Sequence, residues 1–210
     1  MTLLRPDINM KLLLLILALG VVFCQAEEEK NPGWADEKKF GGYQNASKSL
    51  QRYARSTYYL TNATYNNDTV WGNNFNCLFM APNKDSAKNE SVQVTITYRN
   101  GENRTWLKSN ETLTAINMYN YKMKNAIKFQ THGASVKTFN DALVYTDGEY
   151  CNIFYTTNGS SDGKQQGGYE LWMAEKKVNQ IPRLCELLFT ALTEGMSRHI
   201  IWTRSCDSNP

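Results

Sequence analysis

The chain has 210 residues, 41% of them hydrophobic, and a formal net charge of +3 at pH 7. That balance is too even for a nucleic-acid footprint, and the basic residues are scattered rather than gathered into a stripe with aromatics. Length and composition fit one globular domain.

The first element is not part of a fold. Met10-Lys11 precedes the apolar run Leu12 to Val22, which ends in Cys24-Gln25-Ala26. A basic start, a short apolar stretch and small residues before a cleavage point read as a secretory signal peptide. Cleavage is expected after Ala26, with Met10 as an alternative initiator, leaving residues 27–210 as a single secreted domain. The apolar run is too short for a comfortable transmembrane helix, and none follows it, so no membrane association is expected.

Glu27 to Gly33 reads as a charged lead. Trp34 to Leu50 is a helix candidate interrupted by Gly41-Gly42. From Thr57 to Trp172 the chain is rich in Val, Ile, Thr, Tyr and Phe, with turn residues at short intervals. The spacing predicts eight strands, near 57–65, 73–81, 91–98, 106–117, 126–131, 137–145, 150–156 and 168–173. Val92, Val94, Ile96 and Tyr98 alternate with Gln93, Thr95, Thr97 and Arg99, the pattern of a half-buried strand. Ile127 and Phe129 alternate with Lys128 and Gln130 in the same way. Asn100-Gly101 and Asp147-Gly148 are hairpin signals, and Asn158 to Gly168 reads as a loop. A helix then starts near Pro182, with Leu184, Leu187, Leu188, Ala191 and Leu192 as its apolar face and Gly195 as its stop. His199 to Arg204 is expected to be an extended piece. Together these elements predict an all-β closed barrel with a helix packed outside, wide enough for one small ligand, with an open sandwich as the alternative.

Four cysteines remain after cleavage: Cys77, Cys151, Cys185 and Cys206. In a secreted chain they imply two disulfides, of which spacing alone allows three pairings. With no CxxC and only His132 and His199, no metal site is expected, nor any cofactor. Asn-x-Ser/Thr sequons at Asn45, Asn62, Asn67, Asn89, Asn103, Asn110 and Asn158 point to an extracellular glycoprotein. No cysteine is left over to force a covalent dimer, and a monomer is expected.

The strand segments also carry acids beside aromatics: Tyr65-Asn-Asn-Asp68-Thr-Val-Trp71, Asn110-Glu111, Phe139-Asn-Asp141 and Tyr169-Glu170-Leu-Trp172. Acids are depleted in strands and costly to bury. Their repetition among aromatic rings suggests a cage for a small organic cation. Parity supports it, since Phe139 and Asp141 share one face, as do Glu170 and Trp172, while sequon Asn110 beside Glu111 points outward. With Tyr65 inward, the same parity sends Leu60 outward, and Ile116 lands outward too. Ordinary solvated acids at strand ends are the plain alternative, strongest for Asp68 because Asn66-Asn67-Asp68 also reads as a turn.

These segments resemble the tick salivary lipocalins, and among them the histamine-binding branch. The likeness lies in Trp34-Ala-Asp-Glu, Tyr58-Tyr59, Asp68-Thr-Val-Trp71-Gly-Asn, Phe75-Asn-Cys77, Met118-Tyr-Asn-Tyr121, Tyr169-Glu-Leu-Trp172 and Ile181-Pro182 before Cys185. It runs from about Asn31 to Cys206. The resemblance implies an eight-stranded antiparallel lipocalin barrel with a helix toward each end, and disulfides Cys77–Cys206 and Cys151–Cys185. It places an amine site on Tyr65, Asp68, Glu111, Phe129, Phe139, Glu170 and Trp172, with Phe129 where the family has Tyr. A second site is carried by Ser49, Trp71 and Asp141. There Tyr53 and Asn152 replace acids and Ile127 an aromatic, so that site is expected to be weak, absent or changed.

The resulting expectation is a secreted salivary protein that sequesters a biogenic amine, histamine first and serotonin as the near variant, and so suppresses host inflammation. The alternatives are a lipocalin that has drifted to a hydrophobic lipid mediator, and a scaffold acting on a host protein. No Ser-His-Asp order, GxSxG, metal-spaced His pair or phosphate loop suggests an enzyme.

Overall fold

The computed structural model describes residues 31–207, apart from 89, 103, 134–135, 158–159, 162–163 and 166. Residues 1–26, read as a signal peptide, lie outside the described residues, as do the sequons at Asn89, Asn103 and Asn158. The larger unit of the chain begins at Trp34.

Eight strands build the larger unit: β1 (Tyr58–Ala63), β2 (Asn76–Lys88), β3 (Ser91–Arg99), β4 (Trp106–Ile116), β5 (Ala126–Thr131), β6 (Thr138–Thr146), β7 (Cys151–Thr156) and β8 (Gly168–Ala174). Each pairs antiparallel with the next, and β1 pairs with β8 from Tyr58↔Ala174 to Ala63↔Glu170, so the sheet closes into the expected barrel. Closure removes the bare edge that an open sheet would present. The short strand His199–Ile200 adds to β1 at Asn62 and Ala63.

The interior is filled by the alternating positions the sequence marked, including Val92, Val94, Ile96 and Tyr98 of β3 and Ile127 and Phe129 of β5. The predicted N-terminal helix is split. α1 (Glu37–Phe40) is capped by Asp36, a 3₁₀ turn follows at Gly41–Tyr43, and α2 (Ala46–Tyr53) begins where Asn45 Oδ1 accepts the Lys48 N–H at 3.0 Å. Ala46, Ser49, Leu50 and Tyr53 recur at helical spacing and are all buried, and α2 joins the core inside the barrel.

Two expectations are corrected here. Leu60 was expected outward and instead is fully buried in the barrel core. The β1–β8 register shifts between Leu60 and Asn62. This bulge reverses side-chain parity, so Tyr58 and Leu60 on one side of it and Ala63 and Tyr65 on the other all face in. The second correction concerns α3 (Arg183–Leu192). Leu184 and Leu187 were assigned to its apolar face, yet they are 52% and 61% exposed. Cys185 and Phe189 are buried instead, with Leu188 and Leu192 partly buried beside them, against Val144, Ile153, Leu171 and Met173 on the outside of the barrel. The Cys151–Cys185 disulfide sets this rotation by tying the helix to β7. α3 also stops short of Gly195, at Leu192, where Thr193 turns its hydroxyl back to the Phe189 carbonyl at 2.8 Å.

The second disulfide joins Cys77 in β2 to Cys206 near the C-terminus, as the resemblance implied. Trp202 packs over this bridge and onto Tyr59, with ring centroids 4.3 Å apart. Ile116 is half-buried and lies outside the core cluster, as parity predicted. Among the described residues, no helix is long and apolar enough to cross a membrane.

Candidate functional site

Between β1 and β2 the chain makes an excursion. Asn67–Asp68 pairs with Gly72–Asn73, and Asn67 pairs in turn with Ser160 from the segment after β7. The segment read as a loop therefore contributes two short strands, Ser160–Ser161 and Lys164–Gln165, to a small second sheet. Asp68 organises the turn. Its Oδ1 accepts the Val70 N–H at 2.6 Å and the Trp71 N–H at 3.0 Å. The turn reading of Asp68 thus holds, and the turn still carries Asp68 to the barrel interior. Tyr98 of β3 anchors the loop by donating to the Val70 carbonyl at 3.2 Å, and Lys137 donates to the Thr69 carbonyl.

A narrow cavity, partly open to solvent, lies beneath this turn. It is lined by all seven residues of the predicted amine site: Tyr65, Asp68, Glu111, Phe129, Phe139, Glu170 and Trp172. Trp71 and Asp141, assigned by resemblance to a second site, line the same cavity. Ser49 does not join them. It is buried on α2, where its hydroxyl donates to Asn152 Oδ1 at 2.9 Å. Two further lining residues were not anticipated. Thr156 shares the inward parity of Asn152 and Phe154 on β7, a signal within reach of sequence reading, whereas Val70 sits in the turn and carries none.

The strand register explains how the acids meet. Glu111 of β4 stands between Val94 of β3 and Thr131 of β5. Phe129 and Phe139 are direct cross-strand partners on β5 and β6. Asp141 lies opposite Thr156, and Glu170 opposite Phe154. Glu170 is the best-tethered acid. The Tyr65 hydroxyl donates to its Oε1, and Trp172 Nε1 donates to its Oε2 at 2.7 Å. Glu111 accepts from the Ser109 hydroxyl at 3.0 Å.

Four carboxyl groups thus share one largely buried space. Burial pushes Glu111 up to about 7, helped by the negative fields of Asp68 and Glu170. Burial likewise raises Glu170 to about 6, although its hydrogen bonds from Tyr65 and Trp172 pull the other way. Asp141 is held well above the usual carboxylate range by burial first and by Glu170 second. Asp68 is raised by burial, with the turn N–H groups opposing. Among the described residues, the ion pairs are Lys39–Asp36 and Lys124–Glu90, and neither involves these four acids. An empty cavity of this kind is penalised by desolvation and mutual repulsion, and a cation among the acids relieves both.

Comparison with known proteins adds a family. A sequence profile described as "Tick histamine binding protein" matches residues 34–208. The male-specific histamine-binding salivary protein of Rhipicephalus appendiculatus is 36% identical over 199 residues, covering 93% of this chain and 97% of that protein. Female-specific histamine-binding protein 1 of the same tick is 32% identical over 194 residues, covering 92% and 97%. In fold, the chain is similar to the serotonin complex of AM182, with a TM-score of 0.52 at 22% identity over 81% of this chain and 97% of that one. It is also similar to apocrustacyanin C2, with a TM-score of 0.53 at 9% identity over 84% and 95%.

Proposed function

The chain belongs to the tick histamine-binding protein family, and from that premise we propose that it captures a small biogenic amine, histamine first, in the acidic cavity of its barrel. The observation that carries this reading is the convergence of Asp68, Glu111, Asp141 and Glu170 on one aromatic-walled space, with no ion pair to any of them among the described residues. An ammonium group takes charge-assisted hydrogen bonds from such acids, while Trp172, Phe129 and Phe139 offer ring faces and exclude water. The cavity is narrow and ringed by acids, which favours a small amine over a bulky lipid. The protein acts by removing free amine rather than by converting it. Secretion into saliva and a lowered inflammatory response of the host complete the proposal, in keeping with the salivary relatives.

Calorimetric titration of the disulfide-intact protein with histamine, then serotonin, tests it. One-to-one binding at micromolar concentration or tighter is expected. Silence with both amines would sink the reading.

Binding should also depend on pH in a defined direction. The raised carboxyls must lose protons to serve as counter-charges, so affinity is expected to rise between about pH 5.5 and pH 8, as Glu170 near 6 and Glu111 near 7 ionise. The gain should be roughly 10- to 100-fold, about tenfold for each unit of pKa displaced. Serotonin is the suitable probe, because its amine keeps its charge across that window. The stability of the empty protein runs the other way. A carboxyl whose folded pKa lies above its unfolded value binds more protons when folded, so its stabilisation is present at low pH. That stabilisation is lost as pH rises from the unfolded value near 4.5 to the folded value near 7. The melting temperature of the empty protein should therefore be higher at pH 5 than at pH 8. A flat affinity profile would show that these acids do not face the ligand.

A further inference from the structure

The roof of the cavity is fastened unevenly. In the closed barrel the β1–β2 and β5–β6 connections lie at the same end and four strands apart, so they face each other across the mouth. Asp68, Val70 and Trp71 of the first connection line the cavity, as do Phe139 and Asp141 just after the second. The foot of the β1–β2 excursion is fastened by main chain, with Asn67 paired to Asn73 and Ser160, and Asp68 to Gly72. Its tip, Thr69 to Trp71, is fastened differently. Asp68 caps the tip from within the excursion and moves with it. Among the described residues, two side-chain hydrogen bonds tie the tip to the rest of the barrel. One is neutral, from the Tyr98 hydroxyl to the Val70 carbonyl at 3.2 Å, and the other is charged, from Lys137 Nζ to the Thr69 carbonyl.

Lys137 is anchored at one end and movable at the other. Its backbone is fixed to the barrel rim, where its N–H donates to Thr131 Oγ1 at 2.8 Å and its carbonyl accepts the Thr131 N–H at 3.0 Å. Its side chain then crosses the mouth to the opposite connection. Attraction to the roof adds to the bond: burial raises the Asp68 carboxyl, and the field of Lys137 is among the influences that oppose it. A charge-assisted hydrogen bond is about twice as strong as a neutral one, so Lys137 makes the stronger of the two ties on the tip. Being long and half-buried, it releases the carbonyl by rotating about its own bonds, and no strand has to part.

We propose that Lys137 latches the Thr69–Trp71 turn over the barrel mouth, and that ligand enters and leaves when this latch opens. This rests on the amine-binding reading above and adds to it a control over residence time. Lys137 is a positioning residue, since it holds the roof and lies outside the cavity lining. Because the latch opens for passage in either direction, losing it speeds entry and escape alike and leaves affinity nearly unchanged.

Two variants test it. Lys137→Met keeps the length of the side chain and removes the bond, while Lys137→Arg keeps a charged donor. Association with histamine is followed by stopped-flow tryptophan fluorescence at about 0.5 M salt, which screens the repulsion between Lys137 and an incoming cation. Dissociation is followed by chasing bound radiolabelled histamine with unlabelled histamine. Lys137→Met is expected to raise both rate constants by roughly 5- to 30-fold, the weight of one charged hydrogen bond at a half-exposed site, with Kd within about threefold of wild type. Lys137→Arg should stay within about threefold in both rates. Faster dissociation alone would make Lys137 part of the shape of the bound site, and faster association alone would make it only a repelling charge. Either result overturns the latch, as do unchanged rates. If the wild type binds no histamine, the amine reading falls, and the latch is judged in the free protein. With fluorotryptophan incorporated, the Trp71 fluorine resonance, identified by its loss in Trp71→Phe, should shift or broaden in Lys137→Met and not in Lys137→Arg. Identical spectra would overturn the latch independently of any ligand.

Discussion

Glu170→Gln is expected to weaken amine binding by roughly 30- to 4,000-fold while leaving the barrel folded. Removing one partner of a buried, hydrogen-bonded charge pair costs about 2–5 kcal/mol, and each 1.4 kcal/mol is about tenfold in affinity. Glu170 is the acid for which this argument is strongest. It is 2% exposed, and its two oxygens are aimed by Tyr65 and Trp172. A carboxylate has lone pairs left over after accepting two bonds, so these tethers orient the charge without consuming it. The amide preserves shape and can still accept from Trp172 while donating to the Tyr65 oxygen. It also removes a negative charge from beside Asp141, so the empty variant should melt no lower than wild type at pH 8. Calorimetry and a thermal melt check both halves. Less than threefold loss of affinity would mean that Glu170 is a structural anchor for the two aromatic donors rather than a counter-charge.

The second large effect concerns the bridge between β2 and the tail. A Cys77→Ala/Cys206→Ala double variant is expected to lose about 4–5 kcal/mol of stability, because this disulfide closes a loop spanning 129 residues of the unfolded chain. At about 2–4 °C per kcal/mol for a domain of this size, the melting temperature should fall by roughly 10–15 °C. The bridge between Cys151 and Cys185 spans only 34 residues and should be worth less, about 3–4 kcal/mol. Denaturant titration of the two double variants measures the order directly. If opening the shorter loop cost more, packing of α3 rather than restriction of the unfolded chain would dominate the stabilisation.

The barrel was legible because each strand repeats the same local signal. Val92 to Tyr98 and Ile127 to Phe129 alternate in sequence and face the core in fact. What stayed hidden depends on contacts between distant segments. A bulge leaves no mark in composition, so the parity of Leu60 inverted when the β1–β8 register shifted by one residue. On α3, five apolar residues offered more than one possible face, and the disulfide at Cys185 selected the one centred on Phe189. The acids of the cavity stood out as strand acids among aromatics. Their grouping did not, because the path of the chain from Asn66 to Phe75 decides that Trp71 lies with Asp141 and Glu170 rather than beside Ser49. Ser49 meets Asn152, one of the positions where an acid was expected, and the two neutral groups satisfy each other.

The seam between β1 and β8 also sets a timetable. β1 is the first barrel strand to be synthesised and β8 the last, yet they are hydrogen-bonded neighbours. At translation rates of about 5–20 residues per second, β1 waits for seconds with only β2 available to it, and Cys77 waits longer still for Cys206. Hairpins between successive strands form quickly, but joining the ends of the chain is a long-range step that loop entropy slows. A nascent chain therefore passes through an open sheet whose two outer strands are unguarded. Its chance of pairing with a neighbouring chain is governed by the interval between making its first strand and its last.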